Sequence, residues 1–578
     1  MEMTQLSKLK TFLKEQKLDY FLLPNSDEFF SEYLQPSEKR IEFLTGFSGS
    51  AATVIFGLEK SYFFTDGRYI LQAKEQLDLN EFEIFNIAQK SVISWINENI
   101  SKDKKLALDA KLVSKNFVEN IKASLVFLER NPLEKIWQNR AKKNESEVFA
   151  LPKNLHGLDS LEKRKAVLAA TDADALLITK PENLCWLLNI RANDIEFNPL
   201  CLAYGILFKS GEVDFFIDEK RLKNIALEKV NALQADCLDL RLAVLRKKYK
   251  TIQLDAASTN YWLYRELEKN NFEIISKTDP CEILKVQKNS AEISGMIKAH
   301  ESDGLALTKF LFWFEQNVKS GAQIDEISLA EKLLEFRKEN KNFLYPSFAT
   351  ISSFASNGAI IHYHATPETN KKISGNSLFL LDSGGQYFGE DFCGTTDVTR
   401  TIAVGNVSAE MIENFTRVLK GHIALARAKF PRGTSGAQLD ALARNPLWLA
   451  GKDFDHGTGH GVGAFLGVHE GPCGISKRAH QLLLEGMILS NEPGFYKDGE
   501  YGIRIENLML VEKFDEKFLC FKTLTLAPID PNLIDFRMLT HPEKQWLRSY
   551  HENIFLVLQN NLNAEEKTWL QNITAKFF

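Results

Sequence analysis

The 578-residue sequence contains no run of about 18 uninterrupted apolar residues, so no membrane-spanning helix is expected from it. It also lacks any long block of lysine or arginine. With a net charge of −5, a nucleic-acid surface is not its main business. No CxxC pair occurs. The seven cysteines (185, 201, 237, 281, 393, 473 and 520) stand singly, as reduced thiols do in a cytosolic protein. Low-complexity tracts and sustained heptads are missing too. The first residues, MEMTQLSKLKTFLKEQ, interrupt every apolar run with lysine while Leu6, Leu9, Phe12 and Leu13 recur at helical spacing. They read as an amphipathic helix and not as a signal peptide. These absences together predict a cytoplasmic chain with neither a membrane nor a nucleic-acid partner.

What is present is an ordinary globular composition, 44% hydrophobic and 25% charged, on a chain too long for one hydrophobic core. Two stretches echo each other. "LDYFLLPNSD" followed by "FLTGFSGSAATVIFGLEKSYFFTDGRYI" resembles "ADALLITKPEN" followed by "CLAYGILFKSGEVDFFIDEKRL". Asp19 and Asp174 lie 155 apart (174 − 19), Asp66 and Asp218 lie 152 apart (218 − 66), which argues for a duplicated α/β unit. A polar segment at 138–154 reads as a linker. Near residue 288 the pattern becomes a long amphipathic helix, with Ser290 as candidate N-cap and Ile293 and Met296 facing inward. Glycine-rich turns and β-rich runs follow to about residue 530, and the tail is helical by periodicity.

The chemistry concentrates in this last region. "HGTGHGVGAFLGVHEGP" (456–472) holds His456, His460 and His469. The first two have the i, i+4 spacing of a helical metal pair, but the interspersed glycines each cost a helix about 1 kcal/mol. Four carboxylates sit in or beside apolar strands: Asp382 in "LFLLDSGGQY", Asp397 in "GTTDVTRT", Glu492 in "LSNEPGFY" and Glu506 in "GIRIENLMLV". An unpaired buried carboxylate costs several kcal/mol, on the order of 2–5, so four of them with an imidazole ask for a shared cation. Oxygen ligands with one imidazole suit Mn, Co, Zn or Fe, and four carboxylates balance two divalent ions. Plainer readings exist for each residue alone. Asp382 can be a strand-end cap, Glu506 can pair with Arg504 two residues earlier, and "NEPG" can be a simple turn. The order D, D, H, E, E within 124 residues (506 − 382) favours the shared site.

"IIHYH", "LDSGGQY", "GTTDVTRT", "HGTGHGVG", "VHEGP", "NEPGFY" and "YGIRIEN", with "TGFSGSA", "TDGRY" and "NIRANDIEFNP" upstream, together resemble the three-domain Xaa-Pro aminopeptidases of the pita-bread metallopeptidase family. The resemblance implies creatinase-like α/β domains at 1–145 and 146–286 and a pita-bread catalytic domain at 287–578. It implies two Mn ions, with Asp382 on one, His460 and Glu492 on the other, and Asp397 and Glu506 bridging. His362 and His469 match non-ligand active-site histidines, and Glu492 joins them as a catalytic group. His456, Arg504 and Arg68 match residues on the substrate side, and Lys220 replaces the arginine in the second unit. A homodimer acting on peptides with a penultimate proline is the further implication.

One departure stands out. Asp382 and Asp397 are 15 residues apart (397 − 382), several more than the family interval, and the excess falls in "FGEDFC", 388–393. Extra residues at a hairpin tip can grow outward without shifting the ladder. They also make Asp391 a rival to Asp397. The rival functions are a prolidase, which cleaves only dipeptides, and a non-catalytic binding protein on the same fold.

Overall fold

The computed structural model describes residues 4–577. It divides into two compact units, Met1–Leu151 with Leu158–Leu284, and Pro152–Gly157 with Lys285–Phe578.

The first unit contains two six-stranded sheets of one design. The first comprises β1 (Tyr20–Pro24), β2 (Thr53–Gly57), β3 (Ser61–Thr65), β4 (Phe82–Asn86), β5 (Lys105–Leu108) and β6 (Ser124–Phe127), in the order β4-β3-β2-β1-β5-β6. The second comprises β7 (Ala175–Ile178), β8 (Tyr204–Phe208), β9 (Val213–Phe216), β10 (Val230–Leu233), β11 (Thr251–Leu254) and β12 (Glu273–Ser276), in the matching order β10-β9-β8-β7-β11-β12. The echoed aspartates have equivalent jobs. Asp19 accepts from the Lys105 amide at the head of β5, and Asp174 accepts from the Lys250 and Thr251 amides at the head of β11. Asp66 and Asp218 each accept from the amide two residues on, closing an Asx turn after β3 and β9. The N-terminal helix Gln5–Glu15 buries Leu9 and Leu13 as its spacing predicts.

The second unit opens with the helix Ser290–Ser320. Its N-cap is Asn289, one residue before the expected Ser290. The Asn289 side chain accepts from the Ala291 and Glu292 amides, and Glu292 reaches back to the Asn289 amide. Met296, Ala299, Asp303, Leu307, Phe310 and Phe314 bury one face. Gly321, at φ 70°, ends the helix in the left-handed region.

The strands that carry the site are β13 (Ile351–Phe354), β14 (Ser377–Ser383), β15 (Gly385–Phe388), β16 (Cys393–Thr395), β17 (Val398–Val404), β18 (Gly459–Gly461), β19 (Glu470–Ile475), β20 (Ile488–Asn491), β21 (Gly494–Lys497), β22 (Tyr501–Arg504) and β23 (Asn507–Lys513). The order β13-β14-β17 makes a three-stranded antiparallel sheet, with Asp382 opposite Thr399. Strands β15 and β16 form a hairpin paired to Phe343–Pro346. A six-stranded sheet runs Lys429–Pro431, Phe518–Thr523, β23, β20, β18, β19, and β21 pairs with β22. The core gathers Phe310, Phe314, Leu329, Phe379, Leu419, Ile503 and Ile529. The tail forms helices His541–Leu558 and Ala564–Ala575, whose Leu547, Ile554, Leu558 and Leu570 enter that core. No described helix is long and apolar enough to cross a membrane.

Candidate metal centre

Each acidic residue reaches the site from a strand or from the residue beside one. Asp382 is on β14, which the apolar run "SLFLLDS" makes extended and buried. Asp397 immediately precedes β17, Glu492 lies between β20 and β21, and Glu506 lies between β22 and β23. Asp397 and Glu506 therefore lie just off the ends of strands. At a strand end the backbone can turn a carboxylate inward without spending a ladder position. His460 is in the middle of β18, and the glycines around it leave no helix there.

These residues converge. Ligand atoms of Asp382, Asp397 and Glu506 lie within 4.8 Å of one another, as do those of His460, Glu492 and Glu506, and those of Asp397, His460 and His469. Asp397, Glu506 and His460 each belong to two of these groups. Asp391 is exposed at the hairpin tip and belongs to none among the described residues. His460 Nδ1 lies 2.9 Å from its neighbour Gly461's carbonyl oxygen, an acceptor, so Nδ1 carries the proton and donates. Nε2 is left facing Asp397 at 3.4 Å and Glu492 at 3.5 Å. The His460 amide donates to Ser490 Oγ, which donates to Glu492 Oε1. Thr399 Oγ1 donates to Glu506 Oε2 at 2.9 Å.

Arg504 is where expectation and structure part. It pairs with Asp382 at 2.6 Å, and not with Glu506 two residues on. Its other nitrogens donate to Thr399 Oγ1 and to Tyr496 Oη, and the side chain is 2% exposed. Arg504 therefore holds the site's carboxylate. Tyr496 Oη also meets His456 Nε2 at 2.9 Å, so His456 is tied to Arg504 through one phenol. Thr399, Ser490 and Tyr496 were not singled out from sequence. All three lie within quoted stretches, but their roles emerge only once the strands are packed.

Electrostatics favour a cation. Burial raises the Asp382 carboxyl to about 6, despite Arg504. Burial, then repulsion from Asp397 and Glu492, raises Glu506 well above the usual carboxylate range. Glu492 is raised too, chiefly by burial. Burial disfavours the His460 imidazolium, but the Asp397 hydrogen bond and the Glu492 charge outweigh it and lift His460 to about 9. Asp382 Oδ1, Asp397 Oδ1 and Glu506 Oε1 are buried without a hydrogen-bond partner among the described residues. Three such oxygens in one cluster are the donor set a hard divalent cation takes.

His469 flanks this centre. The rings of His469 and His460 meet edge-to-face with centroids 4.3 Å apart. Glu470, next to His469, is buried between the ammonium groups of Lys285 and Lys288. His362 follows the turn Ala355–Ala359, which packs so tightly on β22 that a Cβ on Gly502 would fall 1.8 Å from the Gly358 carbonyl oxygen. Buried Glu326 anchors this loop, accepting from Phe354 N, Asn357 Nδ2, Tyr363 Oη and Lys371 N. Arg68 belongs to the other unit. There it forms a two-pronged pair with Asp66 and lies over the Tyr69 ring.

Residues 294–513 match the Metallopeptidase family M24 and residues 517–577 the C-terminal region of peptidase M24. Residues 5–138 and 138–292 each match a Creatinase/Prolidase N-terminal domain. The chain is 37% identical, over 98% of its length and 92% of the other's, to a Laccaria bicolor protein named probable Xaa-Pro aminopeptidase P. The chain belongs to the Xaa-Pro aminopeptidase family. Its creatinase-like α/β domains precede a pita-bread catalytic domain, as the sequence motifs imply. A crystal structure of X-prolyl aminopeptidase from Caenorhabditis elegans, described as a cytosolic enzyme with a di-nuclear active site, matches with a TM-score of 0.92 at 33% identity, covering 99% of both chains. The prolidase of Pyrococcus horikoshii matches at a TM-score of 0.51 and 25% identity. That match covers 99% of the prolidase but 64% of this chain.

Proposed function

We propose that this protein is a dinuclear metalloaminopeptidase that removes the first residue from peptides whose second residue is proline. The observation that carries the reading is the cluster of buried carboxylate oxygens without partners on Asp382, Asp397 and Glu506, whose ligand atoms lie within 4.8 Å of one another and which share members with the groups around His460. In this reading Asp382, Asp397 and Glu506 hold one divalent ion, and Asp397, Glu506, His460 and Glu492 hold the other. Mn is the expected metal. Two such ions supply Lewis acidity toward the scissile carbonyl and acidify a water for attack.

The chain's own residues supply the rest. Glu492, beside His460, takes the proton of the attacking water and returns it to the departing prolyl nitrogen. His469 and His362 donate to the carbonyl oxygen as its negative charge develops. Arg504 keeps Asp382 ionised and oriented, and Tyr496 links that arginine to His456 at the substrate's edge. A peptide-binding role for Arg68 belongs to the same proposal. Proline in the second position has no N–H and a fixed φ, so recognition works by ring shape. Domain limits near 145 and 286, a homodimer and a cytoplasmic site of action belong to the same proposal. The changes of family match at 138 and 292–294 support the limits.

Hydrolysis of an Arg-Pro-Pro peptide with and without Mn, wild type against Asp397→Asn, tests the reading. Activity should depend on Mn and fall by at least about a hundredfold in the variant; unchanged activity in Asp397→Asn would refute the bridge. The prolidase alternative predicts faster turnover of Arg-Pro than of Arg-Pro-Pro. The prolidase match leaves 36% of the chain uncovered (100 − 64), whereas the X-prolyl aminopeptidase match covers 99% of it, which supports the aminopeptidase reading.

A further inference from the structure

The extra residues between Asp382 and Asp397 do not simply extend into solvent. Glu390 and Asp391 are exposed, but the residues on either side fold back onto the unit. Phe392 is buried against Ala299, Phe343 and Tyr387. The Phe388 amide donates to the Asn342 carbonyl, the Gly389 amide to the Phe392 carbonyl, and Asn154 Nδ2 to the Glu390 carbonyl. Across the base of the hairpin, Gly295 of the long helix approaches β16 so closely that a Cβ there would lie 2.3 Å from the Cys393 carbonyl oxygen. The hairpin is clamped on several sides.

Its inner face touches the turn that leads to His469. The Phe388 ring stacks on Phe465, with centroids 5.3 Å apart and planes within 4°. Gln386 Nε2 donates to the Leu466 carbonyl at 2.9 Å, and Gln386 Oε1 accepts from Thr395 Oγ1. Gln386, Thr395 and Phe465 are fully buried. Within the turn, the Gly463 amide donates to the Gly467 carbonyl, and a Cβ on Gly463 would lie 2.7 Å from Leu466 Cβ. Phe465 has φ 52°, a left-handed conformation that a bulky side chain adopts only when its surroundings impose it. Two residues after Gly467 comes His469, and Glu470 beyond it is fixed by Lys285 and Lys288.

We infer that the lengthened β15–β16 hairpin is a buttress for His469: Phe388 under Phe465, and Gln386 on the Leu466 carbonyl, hold the 463–467 turn in the strained form that sets the His469 ring against His460. Phe388 and Gln386 are thus positioning residues for the hydrolytic step. The inference rests on the reading of His469 as a group that acts on the substrate carbonyl. It gives the chain's departure from the family spacing a function that outward growth of the loop would not have.

The test compares Phe388→Ala, Phe388→Tyr and His469→Ala in the Mn-loaded, full-length protein, measuring kcat and KM on Arg-Pro-Pro, bound Mn per chain and the thermal midpoint. Phe388→Ala should lower kcat about tenfold with KM within about twofold, because misplacement of a catalytic group is felt in the transition state. Mn content and thermal midpoint should stay at wild-type values, and Phe388→Tyr, which keeps the stacked ring, should restore kcat. Gln386→Met reads the same if Phe388→Ala does not accumulate folded. Wild-type kcat in Phe388→Ala beside an impaired His469→Ala overturns the buttress alone. So does a kcat loss that comes with lost Mn or that Phe388→Tyr does not recover. Wild-type kcat in His469→Ala overturns the buttress and the catalytic role of His469 together.

Discussion

Asp382 answers two demands at once. Oδ2 takes the Arg504 guanidinium at 2.6 Å, while Oδ1 is left without a partner in the buried cluster. A planar, permanently charged fork suits this better than an ammonium, since Arg504 also serves Thr399 and Tyr496. Arg504→Lys keeps the charge and loses that fork. Loss of such an outer partner typically costs 10–100-fold in metal affinity or activity. We expect Arg504→Lys to weaken Mn binding by about tenfold or more, read by calorimetric titration, and to lower kcat by a similar factor; wild-type Mn affinity would show that Asp382 needs no such support. The acids themselves were legible because a carboxylate among apolar strand residues is costly, and four such side chains had to be explained together. Arg504's partner was not. Adjacency in sequence suggested Glu506, whereas Asp382 is 122 residues away and meets Arg504 only once β14 and β22 are packed.

At the scale of elements, glycine content correctly removed the helix from HGTGH, whereas the pairing of Asp382 opposite Thr399 of β17 was not legible in the sequence. The hairpin was also placed correctly, with Phe388 opposite Cys393. Its inward packing was not, because aromatic residues at a tip do not reveal which surface they meet. The first tail helix, His541–Leu558, has a property that hydropathy alone would not reveal. Its His551 is fully buried, with Nδ1 on the Leu547 carbonyl and Nε2 accepting the Ile529 amide. Burial holds its pKa at about 4, below the ordinary 6.5. Above pH 6.5 the ring is neutral folded or unfolded, and it contributes no pH dependence. Below 6.5 the unfolded chain gains the proton and the folded chain does not, so stability falls until about pH 4. At about 1.4 kcal/mol per unit the decline attributable to His551 is at most about 3 kcal/mol. Denaturant midpoints between pH 7.5 and 4.5 should therefore fall more steeply for wild type than for His551→Gln. Parallel slopes would remove His551 from the acid lability.

For the whole molecule, the duplication was visible from two aspartate pairs because each has a backbone task that side-chain variation cannot replace. Asp19 and Asp174 cap equivalent strands, and Asp66 and Asp218 close equivalent turns. The grouping of both sheets into one compact unit was not legible, since contacts between distant segments leave no periodic trace. The second unit gathers seven candidate residues, from Asp382 to Glu506, around one centre. Its charge balance is the central claim: four acids and a neutral imidazole, closed by two divalent ions. Equilibrium dialysis of the metal-stripped protein against Mn, with bound metal counted per chain, tests that balance most directly. The account predicts two Mn per chain for wild type and a loss of at least one in Asp397→Asn. No bound metal, or the same count in the variant, would contradict it.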